Sequence, residues 1–134
     1  MNKQICEDVL IVEDDDLIRE TIREMLELEG FKTSVAKNGQ DALDILKMIP
    51  RPCLILLDLM MPVMNGWEFL KARGMNDILA TIPVIIVSAA GDDKLKGLPA
   101  DGIIKKPIDI DVLVRFVKRY CENGDEPAKD AGAA

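Results

Sequence analysis

Five short strand-like runs, separated by segments with helical spacing, constrain the fold of this chain more than any other feature. Val9–Val12, Cys53–Leu57 and Pro83–Val87 are continuously apolar, which is typical of strands covered on both faces. Phe31–Ala36 alternates between apolar and polar residues and predicts an edge strand, and Gly102–Lys105 is a short candidate for the last strand. This alternation predicts an α/β fold with a parallel sheet, helices on both faces and right-handed crossovers.

Helix start and stop signals lie between these runs. Asn38 and Asn65 are candidate N-caps, and Asn65 has Glu68 three residues later, as in a capping box. Asp109 precedes the apolar stripe of the last helix. The fourth helical segment, 91–99, contains two glycines and a proline. It therefore predicts a shortened helix of one or two turns, or only a loop.

Length, charge and the N-terminus exclude several classes of protein. The chain has 134 residues, enough for one domain, and a formal net charge of -7. This charge argues against binding to nucleic acid or to an anionic membrane surface. No apolar run approaches the roughly 20 residues of a membrane span, and the first residues lack the apolar segment of a secretory signal. We therefore expect a cytoplasmic protein.

The chain contains no histidine. This absence excludes a Ser-His-Asp or Cys-His triad and any histidine metal ligand. It also means that a phosphohistidine acting with this chain must be supplied by another protein.

Three cysteines, Cys6, Cys53 and Cys121, stand at no metal-ligand spacing. Their odd number predicts reduced thiols in a cytoplasmic protein, with Cys53 as a core residue. The polar, acidic segment 122–134 is rich in small residues and predicts a disordered tail that follows a domain over residues 1–121.

Charged and hydroxyl side chains follow four of the predicted strands. Glu13-Asp14-Asp15-Asp16 follows the first, and Asp58, Ser88 and Lys106 follow the third, fourth and fifth. Because the carboxyl ends of parallel strands meet at one edge, these residues are expected to form a cluster. Three neighbouring carboxylates repel one another, and Mg²⁺, which prefers oxygen ligands, would relieve that repulsion. A simpler interpretation of Asp15 or Asp16 is a helix N-cap.

Such a set is suited to phosphoryl transfer onto a carboxylate. Asp58 would attack the incoming phosphorus and become an acyl phosphate. Mg²⁺ and Lys106 would neutralise the phosphoryl oxygens, and Ser88 would donate a hydrogen bond to one of them. Because Pro107 follows it, Lys106 is favoured for this role over Lys105, which is expected to face solvent.

Four motifs in order resemble the receiver domain of two-component response regulators. They are Val12-Glu13-Asp14-Asp15, Asp58 with Met61-Pro62 and Gly66, Ser88-Ala89, and Lys106-Pro107. The resemblance extends to about residue 121. It implies a flavodoxin-like (βα)5 fold with strand order 2-1-3-4-5.

The resemblance also implies roles for individual residues. Asp58 would be the phosphoacceptor, Ser88 the switch hydroxyl and Lys106 the conserved lysine of the family. Mg²⁺ would be held by Glu13, Asp14, Asp58 and the backbone carbonyl of Met60. The donor would be a histidine kinase or a histidine phosphotransfer protein, and the effector an unknown protein. The receiver would be a monomer or a weak homodimer that catalyses only its own phosphorylation and slow dephosphorylation.

Two alternatives remain open at this point. A phosphorylation-independent interaction module (a pseudo-receiver) is favoured by Ile103, which stands where the family usually has an aromatic residue, and by the weak fourth helix. An aspartyl-phosphate hydrolase would need a second acid two residues after the nucleophile, but Met60 occupies that place.

Overall fold

The computed structural model describes residues 8–122, which form one five-stranded sheet flanked by helices. The strands are β1 (Asp8–Val12), β2 (Lys32–Ala36), β3 (Leu54–Leu57), β4 (Val84–Ser88) and β5 (Gly102–Lys105). The helices are α1 (Asp16–Leu28), α2 (Gly39–Leu46), α3 (Gly66–Gly74), α4 (Asp92–Leu95) and α5 (Ile110–Glu122), with a single 3-10 turn at Leu79–Thr81. All strand pairs are parallel in the order β2-β1-β3-β4-β5, so the predicted fold class and strand order are confirmed.

Two apolar clusters lie on opposite faces of the sheet. Alternate residues of β1 show the division, because Val9 and Ile11 join the cluster that packs against α1 and α5, whereas Leu10 and Val12 join the cluster that packs against α2 and α3. These four residues of β1 are fully buried. Burial on both faces explains why the inner strands are continuously apolar, and β2 lies at an edge as its alternating pattern predicted.

The strand register aligns the carboxyl ends of neighbouring strands. Val12 of β1 pairs with Leu57 of β3, and Ser88 of β4 pairs with Lys105 of β5. The residues that follow these pairs therefore emerge at the same edge of the sheet, as the sequence predicted.

Side-chain caps begin the helices where the sequence placed them. The Asn38 side chain accepts a hydrogen bond from the Asp41 N–H at 2.8 Å. Asn65 and Glu68 form the expected capping box, with both hydrogen bonds at 2.9 Å. At the start of α5, the Asp109 carboxylate accepts from the Asp111 N–H at 3.0 Å. Each cap satisfies a backbone donor that the first helical turn leaves unpaired.

The fourth helix is a single turn, Asp92–Leu95, as the glycines and the proline around it predicted. This turn is bound to α3 through the Trp67 indole N–H, which donates to the Lys94 carbonyl at 3.4 Å. On β5, Ile104 is buried against the α5 side and Ile103 points the other way, where it remains 41% exposed.

The prediction that the cysteines are reduced thiols is wrong for two of them. Cys53 and Cys121 form a disulfide, although they stand 68 positions apart in the sequence. Cys53 directly precedes β3 and Cys121 lies in the last turn of α5, which packs over the same end of the sheet. An odd cysteine count does not exclude one pair plus one thiol, and only the tertiary packing of α5 shows which two residues pair.

Several predictions concern residues outside the described range. Cys6 and the predicted lack of a signal segment lie in residues 1–7, and most of the predicted tail lies in 123–134. Glu122, assigned to the tail, belongs to α5. The boundary at residue 121 therefore stays a prediction. Between residues 8 and 122, no helix has the length and apolar character needed to cross a membrane.

Gly66 allows α3 to begin against the backbone of the residues that follow β3, so Gly66→Ala should be strongly destabilising. An added Cβ would lie 2.5 Å from the Asp58 carbonyl oxygen and 2.7 Å from the Leu59 Cα, which are both backbone atoms. We expect the free energy of unfolding to fall by about 1–3 kcal/mol in denaturant titrations. Gly74→Ala, at the other end of α3, is the matched control because nothing lies within 4 Å of its added Cβ. It should be neutral or slightly stabilising; equal losses in both variants would contradict the prediction.

Candidate functional site

Three carboxylates meet at the carboxyl edge of the sheet. Glu13 and Asp14 follow β1, and Asp58 follows β3. One ligand oxygen from each of the three lies within 4.8 Å of the others. Glu13 and Asp58 are only 2% and 5% exposed, whereas Asp14 is exposed. The cluster thus consists of two buried carboxylates and one that faces solvent.

Lys106 supplies the positive charge of the site. Its ammonium lies 3.0 Å from Glu13 Oε1 and 3.6 Å from Asp58 Oδ1. Burial opposes the charge of this ammonium, but the hydrogen bond to Glu13 and the charge of Asp58 outweigh it, so the pKa of Lys106 is raised. Lys106 therefore remains a cation directly beside the proposed phosphoacceptor.

The environment of Asp58 disfavours its negative charge. Burial is the largest cause and repulsion by Glu13 the next, and together they raise the pKa of Asp58 to about 7 against the opposing effect of Lys106. Without a further cation, Asp58 thus carries a substantial fraction of neutral acid near pH 7. A bound cation would favour the ionised form, which is the form of a carboxylate that can act as a nucleophile.

The remaining predicted site residues lie around this cluster. Met60 borders the cleft with its side chain 62% exposed. Ser88 ends β4, next to β3, and is fully buried; its hydroxyl oxygen accepts a hydrogen bond from the Ala90 N–H at 3.0 Å. Ala89, rather than Ser88, borders the cleft itself. Lys105 is exposed, as expected for the lysine not assigned to the site.

Two residues that hold Glu13 in place were missed from the sequence. The Arg19 guanidinium donates to the Glu13 carbonyl at 3.0 Å, and the Asp15 N–H donates to Glu13 Oε2 at 3.1 Å. Asp15 is also the N-cap of α1, where its side chain accepts from the Ile18 N–H at 3.0 Å. The simpler interpretation of Asp15 as a cap is therefore confirmed. The only sequence signal for Arg19 is its position one turn into the helix that follows Glu13.

The cleft can accommodate a hard divalent cation. It has a volume of about 240 Å³ and contains Glu13, Asp14, Asp58 and Met60 together with Lys106. Its donors are oxygen atoms, as Mg²⁺ prefers, and its three carboxylates carry more negative charge than one ammonium neutralises. The residues therefore fit Mg²⁺ in ligand type and charge.

Fold and site together define a class of signalling protein. The family model of the response regulator receiver domain matches residues 9–118. The chain belongs to this family, and it is a receiver domain of two-component signalling. Nothing in the comparisons favours a phosphorylation-independent module.

Individual relatives cover most of the chain. Sporulation initiation phosphotransferase F of Bacillus subtilis is 42% identical over 118 residues, which are 85% of this chain and 93% of that protein. The polar-differentiation response regulator DivK of Brucella anthropi is 34% identical over 84% of this chain and 94% of its own length. The chain spans only about half of other relatives, such as the transcriptional regulatory protein CrdR of Helicobacter pylori, which is 39% identical and covered to 54%.

Solved structures agree with this assignment. The receiver domain of a signal transduction histidine kinase from Syntrophus aciditrophicus is 32% identical and superimposes with a TM-score of 0.82, over 90% of this chain and 94% of that chain. The chemotaxis response regulator CheY4 of Vibrio cholerae is 28% identical with a TM-score of 0.77, over 86% of this chain and 98% of its own.

Asp58→Asn should stabilise the metal-free protein at high pH and not at low pH. In the unfolded chain the carboxyl group titrates near its ordinary pKa of about 3.9, whereas in the fold its pKa is about 7. Above pH 7 the fold must therefore hold an unfavourable charge, and below about pH 4 both states are protonated and this cost disappears.

We expect the substitution to raise the free energy of unfolding by about 1–3 kcal/mol at pH 8. Denaturant titrations with a chelator at pH 8 and pH 4 would measure the difference. Asp77→Asn removes an exposed carboxylate and serves as the control. A gain that does not depend on pH would contradict the electrostatic explanation.

Proposed function

We propose that this receiver domain takes a phosphoryl group from a phosphohistidine onto Asp58 and thereby changes the binding of a partner protein. The observation that carries the proposal is the position of the Asp58 carboxylate, which is buried in the carboxylate cluster with the Lys106 ammonium 3.6 Å from its Oδ1. A carboxylate in this setting is held for reaction, since a merely structural acid would more simply be placed in solvent.

The residues of the chain provide nucleophile and charge. An Asp58 oxygen attacks phosphorus, a P–O bond forms, and the P–N bond to the donor imidazole breaks. Lys106 offsets the charge that accumulates on the phosphoryl oxygens. Glu13, Asp14, Asp58 and the Met60 carbonyl would hold Mg²⁺, which neutralises charge on the transferred group. Most of the catalytic effect comes from positioning the phosphoryl group beside Asp58. The domain catalyses only its own phosphorylation and slow dephosphorylation.

The switch would begin at Ser88. Its hydroxyl oxygen accepts from the Ala90 N–H, which leaves the hydroxyl hydrogen available for a phosphoryl oxygen. Drawing Ser88 toward Asp58 would shift the following loop and α4, which is a single turn. The Ile103 side chain has no aromatic ring and no polar atom. It would therefore respond to that shift only through its packing contacts.

The partners proposed from this site are proteins. A second, largely apolar groove of about 320 Å³ lies beside the cleft and shares Ile18 and Lys106 with it; Pro107 and Ile108 form part of its wall. This groove is suited to the surface of a histidine kinase or a histidine phosphotransfer protein that brings its phosphohistidine to Asp58. The effector is a protein of unknown identity, and a cytoplasmic location and a monomeric or weakly dimeric state are part of the same proposal.

Phosphorylation of the purified protein should depend on Asp58 and on Mg²⁺. Incubation with acetyl phosphate and Mg²⁺ should add the mass of one phosphate, and the gain should be absent in Asp58→Ala. Asp14→Asn should slow the reaction by roughly tenfold or more, because it removes a candidate metal ligand, and a chelator should abolish it.

Asp77→Ala is the control, as this acid lies outside the cluster. Intact-protein mass spectrometry over time would measure all five reactions. If Asp58→Ala gained phosphate at the rate of the unsubstituted protein, another residue would be the acceptor and the proposal would fail.

Met60→Asn should shorten the lifetime of the phosphorylated form. Met60 borders the cleft and has only a weak thioether acceptor, whereas an amide can donate to and accept from a water molecule. One such hydrogen bond, of about 1.4 kcal/mol, would speed hydrolysis on the order of tenfold. Met48→Asn is a matched control, because Met48 is exposed and lies outside the cleft. The decay of phosphate after removal of the donor would be followed by mass; equal lifetimes for the Met60 variant and the unsubstituted protein would contradict this role.

A further inference from the structure

The Cys53–Cys121 pair lies at the amino edge of the sheet, opposite the phosphorylation site. Cys53 precedes β3, whose other end leads into Asp58, and Cys121 lies in the last turn of α5, which follows Lys106. The two Cα atoms are 5.4 Å apart, within the range that a disulfide spans without backbone movement. Both residues are buried in the apolar cluster beneath α1 and α5. The fold therefore brings the two sulfurs together with no metal-ligating histidine or carboxylate in that cluster.

We propose that Cys53 and Cys121 are a redox modification site, at which a low-molecular-weight disulfide such as glutathione disulfide reversibly forms the bond that fastens α5 to β3. The proposal is independent of phosphorylation. It gives the domain a second covalent modification, at the edge of the sheet that the phosphoryl chemistry does not use.

The exchange proceeds in two balanced steps. One protein thiolate attacks a sulfur of glutathione disulfide, so that a mixed disulfide forms and one glutathione leaves. The second protein thiolate attacks the mixed disulfide, which forms the Cys53–Cys121 bond and releases the second glutathione. The protein loses two electrons and two protons, and the glutathione disulfide gains them. Reduction by a dithiol reverses both steps.

Access to the buried pair comes from the end of α5. Cys121 is the penultimate residue of that helix and is followed by the exposed Glu122. Terminal helical turns open at low free-energy cost, so local unwinding exposes Cys121 without unfolding the sheet. Once formed, the bond closes a segment of 68 residues and restricts the unfolded chain accordingly.

Thiol counting tests the pairing directly. The full chain is first reduced, then equilibrated with glutathione disulfide, unfolded and treated with a maleimide. Mass spectrometry of proteolytic fragments should find the maleimide on Cys53 and Cys121 before oxidation and on neither of them after it. Cys6→Ser should show two modified thiols before oxidation and none after it. Three reactive thiols after oxidation, or glutathione retained on Cys53 or Cys121, would overturn the proposal.

Thermal unfolding tests the consequence. Oxidised protein should unfold roughly 10 °C above reduced protein, as expected for closure of a long segment. Cys121→Ser should match the reduced protein under both conditions, and Cys6→Ser should keep the full redox dependence. Hydrogen exchange should be faster at residues 117–122 in the reduced form. Because oxidised and reduced samples of the same chain are compared, the test stands even if Cys121→Ser fails to fold; an equal Tm in both samples would overturn the proposal.

Discussion

The site depends on an imbalance of charge that the parallel register creates. Glu13, Asp14 and Asp58 bring three carboxylates to one edge of the sheet, and Lys106 is the cation that contacts two of them. Burial prevents water from screening this repulsion, so the pKa of Asp58 rises to about 7. Without a further cation the fold thus disfavours the ionised form of Asp58, and a divalent cation bound to the cluster would favour that form.

The carboxylates and Ser88 are attached to parts of the fold that differ in how firmly they are packed. The acids follow inner strands that are buried on both faces, and Gly66 lets α3 begin in contact with the Asp58 carbonyl. Ser88 also ends a buried strand, but the segment after it leads into α4, a single turn that is bound to α3 through Trp67. In the proposed switch, a change at Ser88 would therefore reach α4, the shortest helix of residues 8–122, first.

The sequence predicted the strands and helices and their order along the chain, because strand periodicity and helix caps are local signals. It also predicted the edge of the sheet at which the site lies, because the carboxyl ends of parallel strands meet there. Asn65 with Glu68 shows this, since the capping box can be recognised from four residues. Contacts that depend on how a helix packs or on the path of a loop were not predictable in this way. The Cys53–Cys121 pair depends on how α5 crosses β3, and the hydrogen bond of Arg19 to the Glu13 carbonyl depends on the loop that joins β1 to α1. Neither leaves a periodic pattern in the sequence.

The two edges of the sheet carry different chemistry, and α5 connects them. Its first residues follow Lys106 at the charged edge, and its last turn is joined through Cys121 to the start of β3. A covalent bond at the far end of α5 restricts rigid-body movement of that helix relative to the strand that ends in Asp58. In the proposed switch, α4 and β5 would then take up the conformational change that phosphorylation causes. Reduction of the bond releases the far end of α5 and adds that helix to the parts of the domain that can respond.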